Sequence, residues 1–261
     1  MKIRANRLRE HVLRMVYEKQ SGHIGGSFSL AEVVAHLYSN YDIASDKIGS
    51  SRLILSKGHA VPIIYAALYE LGIISEEDIN KFREINSPLQ GHPDKLRLRY
   101  MHATTGSLGQ GLSIALGHAL AMKLKNLDKK CFCIIGDGEI QEGQIWEALM
   151  LAPKFNLDNL ICLVDSNKSQ NDGLVKDILP IESLLEKIKS FNWDVVEIDG
   201  NNEEQVSLTI SEIATALDGR PKCVILNTQK GSGVSFMNDP AWHAKAPNKE
   251  EYERALGELK C

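Results

Sequence analysis

Apolar and polar positions in the second half of the chain follow two alternating periodicities. Short runs of consecutive apolar residues, typical of buried strands, alternate with stretches of helical spacing. The predicted strands are 130–135, 160–164, 194–198 and 222–226, and the predicted helices between them are 142–155, 181–189 and 203–217. Strands that are apolar throughout and alternate with helices indicate a parallel sheet covered by helices on both faces.

The first half of the chain has a mostly helical pattern. Apolar spacing predicts helices over 3–20, 29–39, 60–71, 76–85 and 108–126, with one short strand, Arg52–Leu55, among them. No segment has the composition of a linker, and no repeat or low-complexity tract is present. We therefore expect residues 1–261 to form one domain of the α/β class.

Composition supports a globular protein and argues against two kinds of partner. The 261 residues are 43% hydrophobic, which suffices for a sizeable core. The net charge of −4 gives no electrostatic reason to expect binding to nucleic acid or to a membrane surface. The N-terminal stretch lacks the apolar core of a secretory signal, and no run is long enough to span a bilayer, so we expect a cytoplasmic location.

The cysteines favour a reducing compartment. Their number is odd and their spacing scattered, which argues against a disulfide framework; they are Cys131, Cys133, Cys162, Cys223 and Cys261. Cys131 and Cys133 share one face of a predicted strand, where packed core thiols are a better interpretation than a soft-metal site.

An acidic turn stands where a phosphate-binding glycine turn is usual. Gly136-Asp137-Gly138 ends one predicted strand, and Asp165-Ser166-Asn167-Lys168 ends the next. Glycines let phosphates approach the backbone, but Asp137 would repel a bare diphosphate. A divalent cation between them removes the conflict, because Mg²⁺ or Ca²⁺ binds carboxylate, amide, carbonyl and phosphate oxygens. Asp137, Asn167 and the carbonyl of Ser169 are the candidate ligands.

The spacing makes this interpretation more specific than a tight turn followed by a helix cap. GDG, 28 further residues and Asn, over strand, helix and strand, form the signature of thiamine diphosphate binding. A dinucleotide fingerprint would need a third glycine at position 141, which is Gln141.

Between about residues 6 and 250 the sequence resembles the transketolases. Besides the GDG segment, the motifs that carry the resemblance are SGHIGG (21–26), LSKGHA (55–60), QGHPD (90–94), TTGSLGQG (104–111) and WHAKAP (242–247). The resemblance implies a three-layer α/β/α thiamine-diphosphate-binding fold with a mostly parallel central sheet. It also implies transfer of a two-carbon ketol unit from a ketose to an aldose.

Four histidines carry the chemistry that the resemblance implies. His23, His59, His92 and His243 would hold substrate hydroxyls and move protons, which imidazoles do near neutral pH. His59 and His243 would also reach the cofactor diphosphate, and His92 would hold the donor's C1 hydroxyl. The other histidines, His11, His36, His102 and His118, are interpreted as structural or surface residues.

The remaining implied contacts lie in the two glycine-rich motifs. The cofactor would be bound by Gly106, Ser107, Leu108, Gly136, Asp137, Gly138, Glu139 and Asn167, together with His59 and His243. The simpler interpretation of Glu139 is a solvated acid at a helix N-terminus. Glu142 and Glu147 resemble the family's acids near the subunit interface, which link two cofactor sites.

The family's pyrimidine-binding domain has no counterpart in this sequence. The resemblance therefore implies a partner chain, the C-terminal transketolase subunit, in an α2β2 heterotetramer acting on sugar or sugar-phosphate substrates. Alternatives stay open: a subunit of a 2-oxo acid dehydrogenase or deoxyxylulose-phosphate synthase, a ketol transferase for an unusual sugar outside the pentose phosphate pathway, or a non-catalytic regulator.

Overall fold

A computed structural model describes residues 2–260 of the chain. The helices are α1 (Ala5–Lys19), α2 (Gly25–Phe28), α3 (Ala31–Asn40), α4 (Pro62–Glu70), α5 (Glu76–Asn80), α6 (Gln110–Leu124), α7 (Gly143–Lys154), α8 (Val175–Ile178), α9 (Leu184–Ser190), α10 (Glu203–Thr215) and α11 (Lys249–Leu259). The strands are β1 (Arg52–Leu55), β2 (Cys131–Gly136), β3 (Leu160–Ser166), β4 (Ser169–Gln170), β5 (Gly173–Leu174), β6 (Asp194–Asp199) and β7 (Lys222–Asn227).

Five strands form one parallel sheet in the order β1-β2-β3-β7-β6. The short strands β4 and β5 form a separate antiparallel hairpin directly after β3. The predicted strands are confirmed. The largely apolar runs of β2, β3 and β7 are buried between two layers, whereas the edge strand β6, which contains Asp194 and Glu197, is only partly buried. The predicted α/β class with helices on both faces of the sheet is therefore confirmed.

Alternate residues of each strand enter two different cores. One core contains Phe132, Ile134 and Leu163 and is covered by α1, α3, α4 and α10. The other contains Cys133, Ile135 and Val164 and is covered by α6, α7 and α9. These two cores make the three layers of the fold.

The thiols lie where the alternation predicts. Cys131 and Cys133 are buried in the second core, and Cys162 and Cys223 lie beside them on β3 and β7. Cys133, Cys162 and Cys223 are neighbours across three strands, as small apolar groups. Cys261 lies outside the described residues.

Several local predictions differ from the structure, and the short helices α2 and α8 and the β4–β5 hairpin are absent from the predicted elements. Helix α5 ends at Asn80, not near 85; Arg83, whose backbone is left-handed (φ 60°), prevents the helix from continuing to the predicted end. Helix α9 begins three residues later than predicted, at Leu184. Helix α11 is absent from the predicted elements; it begins with a capping box between Asn248 and Glu251 and buries only Ala255 and Leu259.

The sheet brings the polar motifs to one edge. Strands β2, β3 and β7 end at Gly136, Ser166 and Asn227; Gly136 pairs with Asp165, and Ser166 pairs with Asn227. Parallel strands place these carboxyl ends at the same side of the sheet, where ligands bind in open α/β folds. Among residues 2–260, no helix is both long and apolar enough to cross a membrane.

Candidate functional site

A cavity of about 360 Å³ opens at the carboxyl ends of β2 and β3. It gathers residues from every motif singled out in the sequence. Its lining includes His23, Gly26, Lys57, His59, His92, Gly106, Leu108, Gly136, Asp137, Gly138, Glu139, Glu142, Asn167, Ser169, Lys230 and His243. Segments up to 220 residues apart in sequence, such as those of His23 and His243, therefore meet at one site.

The acidic turn and the end of β3 face one another across the cavity. Asp137 accepts hydrogen bonds from the backbone N–H groups of Gly138 (2.8 Å) and Lys168 (2.6 Å). Asn167 Oδ1 accepts one from the Ser169 N–H at 3.1 Å. Burial, and next the nearby charge of Asp165, raise the pKa of Asp137 to about 6. The ionised carboxylate therefore lacks a compensating positive charge of its own.

Asp165, near the end of β3, orients the residues around this turn through hydrogen bonds and an ion pair. Its Oδ2 accepts hydrogen bonds from Ser29 (2.7 Å) and from the amide of Asn167 (3.0 Å), and it pairs with the buried ammonium of Lys57. Its Oδ1 accepts a hydrogen bond from Thr228. With its NH₂ group held by Asp165, Asn167 turns its amide oxygen away from that carboxylate.

The interpretation of Glu139 as a solvated acid is wrong. Its side chain is buried, and burial is tolerated because both carboxylate oxygens accept hydrogen bonds from the GDG turn and from the segments around Ser56 and Gly109. Oε1 accepts from Ser56 and from the Gly109 N–H (2.9 Å), and Oε2 accepts from the Gly136 N–H (3.0 Å). Burial raises the pKa of Glu139, whereas these donors lower it. Glu139 thus ties the GDG turn to the loop before α6.

Replacing Glu139 with Gln should destabilise the fold. The amide can replace only one carboxylate oxygen, so its NH₂ group would face a buried N–H donor. A buried donor left without an acceptor costs about 1–3 kcal/mol. We expect the midpoint of urea unfolding to fall accordingly. The matched control is Glu212→Gln, an exposed acid on α10, which should leave the midpoint unchanged; an equal effect at both positions would contradict the tie between the loops.

The four predicted histidines form one cluster. The ring centroids of His23 and His59 are 5.2 Å apart, those of His59 and His243 4.9 Å, and those of His23 and His243 5.4 Å. His92 lies 6.3 Å from His23 and is the most exposed of the four. The cluster therefore has three half-buried rings and one ring at the rim.

All four imidazoles are neutral at physiological pH. Burial lowers the pKa of His23 to about 4 and that of His243 to about 3, and it lowers the pKa of His59 and His92 as well. Positive neighbours add to the effect, Arg83 at His23 and His92, and Lys57 at His59. Each neutral ring offers one donor and one acceptor nitrogen, and Nδ1 of His23 is buried without a protein partner.

Glycines allow two loops to approach closely beside this cluster. Gly106 has φ 142°, and a Cβ there would come within 2.8 Å of the His92 ring. A Cβ on Gly58 would come within 2.9 Å of the Gly106 backbone nitrogen. Larger residues would therefore separate the His59 and His92 loops.

The remaining predicted residues lie at the edge of the site or outside it. Leu108 and Glu142 line the cavity, whereas Ser107 is exposed and does not. Glu147 is exposed on α7. The Gly138 N–H, predicted to bind a diphosphate, donates to Asp137 here.

Two buried lysines are site residues that the sequence does not identify. For Lys57, inside LSKGHA, the sequence fits a phosphate contact and an exposed lysine equally well. The exposed interpretation is wrong, because Lys57 is buried against Asp165, 108 residues away. Lys230 belongs to none of the motifs, and it is buried beside His243. The first has a weak signal, its position next to GHA, and the second has none. Of the four histidines interpreted as structural, His102 is buried and accepts a hydrogen bond from the Leu53 N–H at 2.9 Å.

Comparison with known proteins agrees with this geometry. Residues 2–258 match the family described as "Transketolase, thiamine diphosphate binding domain". The chain is 35% identical to a Phocaeicola vulgatus protein named as one subunit of an apulose-4-phosphate transketolase, over 99% of this chain and 93% of that protein. It is 40% identical to a 6-deoxy-6-sulfo-D-fructose transketolase subunit of a Clostridium species, over 98% and 94% of the two chains.

Solved transketolases share the fold. The structure superposes on transketolase from Leishmania mexicana with a TM-score of 0.92 and 27% identity, covering 98% of this chain and 40% of that one. For Campylobacter jejuni transketolase the TM-score is 0.91 and the identity 29%, covering 98% and 42%. The chain thus spans about two fifths of the length of these solved enzymes. It belongs to the transketolase family and corresponds to the thiamine diphosphate binding domain.

Proposed function

We propose that this chain is the diphosphate-binding subunit of a two-chain transketolase that moves a ketol unit from a ketose to an aldose. The observation that carries the proposal is the cavity in which four neutral histidines adjoin the Asp137–Asn167 pair. Bound thiamine diphosphate would supply the nucleophilic carbon and the electron sink for breaking a carbon–carbon bond.

The oxygen ligands at the acidic turn fit Mg²⁺ or Ca²⁺ bound together with a diphosphate. Asp137, Asn167 and the Ser169 carbonyl would provide a carboxylate, an amide oxygen and a carbonyl oxygen. Among residues 2–260 no group of three His, Cys, Asp or Glu side chains could hold a metal by itself. Phosphate oxygens would therefore complete the coordination, and the cation would balance the buried charge of Asp137.

The histidine cluster fits a polyol substrate. Neutral imidazoles can donate to one hydroxyl and accept from another, and they can pass on the proton released when a hydroxyl becomes a carbonyl. His92 at the rim would hold substrate hydroxyls, and His23, His59 and His243 would lie nearer the cofactor. A site for small 2-oxo acids has less need of so many hydroxyl-binding groups. The residues proposed as the cofactor's backbone and packing contacts are Gly106, Ser107, Leu108, Gly136, Gly138 and Glu139.

Relatives support a partner subunit. The proteins from Phocaeicola and Clostridium are named as transketolase subunits, and this chain matches more than nine tenths of each. We infer a partner carrying the pyrimidine-binding domain, an α2β2 assembly with Glu142 and Glu147 near the interface, and a sugar phosphate or related sugar as substrate. Four buried free cysteines fit a reducing compartment such as the cytoplasm.

Native mass spectrometry tests the assembly. The tagged chain, purified with thiamine diphosphate and Mg²⁺ from the cells that produce it, should carry a second chain in equal amount, together with the cofactor. A chain that stays alone and binds no cofactor would contradict the proposal.

A donor screen on the purified complex tests the reaction. Ketoses and ketose phosphates should give an aldose product in the presence of an acceptor aldose, whereas pyruvate and other 2-oxo acids that lack a hydroxyl group beside the keto carbon should give no turnover. Activity with 2-oxo acids alone would instead identify a decarboxylating member of the wider cofactor class. Apulose 4-phosphate, sulfofructose and pentose phosphates belong in the screen, because they separate specialised from central sugar metabolism.

A further inference from the structure

We propose that Lys230 fixes the tautomer of His243, so that His243 presents an Nε2–H donor to the cavity and not a lone pair. Lys230 is thus a positioning residue that acts through His243. Both side chains line the cavity, and Lys230 belongs to none of the motifs recognised in the sequence.

The hydrogen bond between the two side chains determines which nitrogen of His243 carries the proton. Lys230 Nζ lies 3.3 Å from His243 Nδ1. An ammonium group has three donors and no acceptor, so Nδ1 must be the acceptor and carry no proton. A neutral imidazole has one N–H group, which must then be on Nε2.

The protonation states agree with this geometry. Burial, and then the charge of Lys230, lower the pKa of His243 to about 3, so the ring is neutral at pH 7. Burial and the charge of Lys57 lower the pKa of Lys230 to about 8, which leaves it mostly protonated at pH 7. A neutral ring and a charged lysine are the pair that the tautomer requires.

Packing holds Lys230 in place. Its side chain is 2% exposed and runs over Gly25, where a Cβ would come within 2.8 Å of Lys230 Cγ. The next residue, Gly231, donates a backbone hydrogen bond to the Gly25 carbonyl at 3.0 Å. Over residues 2–260, Lys230 forms no ion pair with a carboxylate, and its ammonium is bonded to His243. The charges of Asp137, Asp165 and Asp239 act on Lys230 without forming an ion pair with it in the described part of the chain, and His243 is the side chain that its ammonium bonds.

The tautomer determines how His243 can interact with a ligand in the cavity. Since Nε2 carries the proton, His243 meets a ligand as a donor, suited to an anionic phosphate oxygen or to a substrate hydroxyl oxygen. At Nε2, the nitrogen that faces the ligand, it can accept a proton only after giving this one up, because the Nδ1 lone pair is bonded to Lys230. Which oxygen it meets rests on the proposed function, whereas the tautomer itself does not.

Nuclear magnetic resonance of the full chain with ¹⁵N-labelled histidine tests the proposal. Long-range ¹H–¹⁵N correlations distinguish protonated from unprotonated ring nitrogens, and the His243→Gln variant identifies the resonance. At pH 7 the wild-type ring should be protonated at Nε2. Lys230→Met should give a mixture of tautomers or the Nδ1–H form, and Lys230→Arg, which keeps a donor, should restore Nε2–H.

The matched control is Lys245→Met. Lys245 is two residues from His243, but its ammonium faces outward, pairing with Glu251 at 2.5 Å and lying over the Trp242 ring. It should leave the His243 tautomer unchanged. An Nδ1–H tautomer in the wild type would overturn the proposal without any variant, as would an unchanged tautomer in Lys230→Met. The predicted tautomer, found together with no cofactor binding by the complex of this chain and its partner, would instead count against the proposed function alone.

Discussion

Replacing Asp137 with Ala or Asn should abolish Mg²⁺-dependent binding of thiamine diphosphate. Asp137 is the proposed anionic metal ligand, and its position is fixed by the N–H groups of Gly138 and Lys168. Removing groups that merely support a metal ligand costs about 10–100-fold in affinity, so losing the charged ligand itself should cost about 100-fold or more. Asn167→Ala should have the same direction of effect, because it removes the amide oxygen.

Calorimetric titration of thiamine diphosphate at fixed Mg²⁺, on the complex with its partner, measures this loss. Asp128→Asn is the matched control, since it makes the same charge change at an exposed aspartate outside the cavity. The fold should survive Asp137→Asn. The amide leaves one of the two backbone N–H donors of Gly138 and Lys168 without an acceptor, but the substitution also removes a buried carboxylate whose raised pKa marks it as a cost to the free chain at neutral pH. Normal cofactor binding by Asp137→Ala would disprove the proposed metal site.

The sheet could be predicted from the sequence because its signal is local. Strands β2, β3 and β7 are runs of mostly apolar residues, and such a run is stable only between two layers; β6, at the edge of the sheet, alternates more and is only partly buried. Helix α11 is absent from the predicted elements although its sequence carries two cues. Tyr252, Ala255, Leu256 and Leu259 follow helical spacing and pack against the core, and Asn248 and Glu251 form a capping box.

Site residues that belong to short motifs could be predicted from the sequence. Site residues whose role depends on burial by distant segments could not. Asp137, Asn167 and the four histidines each belong to a short motif, so their meeting followed from a resemblance. The burial of Glu139 depends on hydrogen-bond donors, Ser56 and Gly109, that lie 83 and 30 residues away. Lys57 and Lys230 are buried through Asp165 and Gly25, which no local pattern connects to them.

His92→Ala should separate binding from reaction. His92 is the most exposed ring of the cluster and packs against Gly106 at the rim, which places it nearer to an entering sugar than to a diphosphate beside Asp137. Loss of a group that positions hydroxyls and transfers protons lowers the rate about 10²–10⁴-fold. We therefore expect kcat/KM for ketol transfer to fall by about this factor, while the Kd for thiamine diphosphate stays as in the wild type.

Comparing His92→Ala with Asp137→Ala separates loss of transfer from loss of cofactor binding. Steady-state transfer assays and cofactor titrations should distinguish the two variants. Asp137→Ala should bind no cofactor, whereas His92→Ala should bind the cofactor and lose most of its transfer activity. His118→Ala, at a half-buried histidine on α6 outside the cavity, is the control for the substitution itself. Loss of cofactor binding in His92→Ala would mean that this ring belongs to the cofactor's pocket. Substrate recognition would then have to come from the three inner histidines and the partner chain.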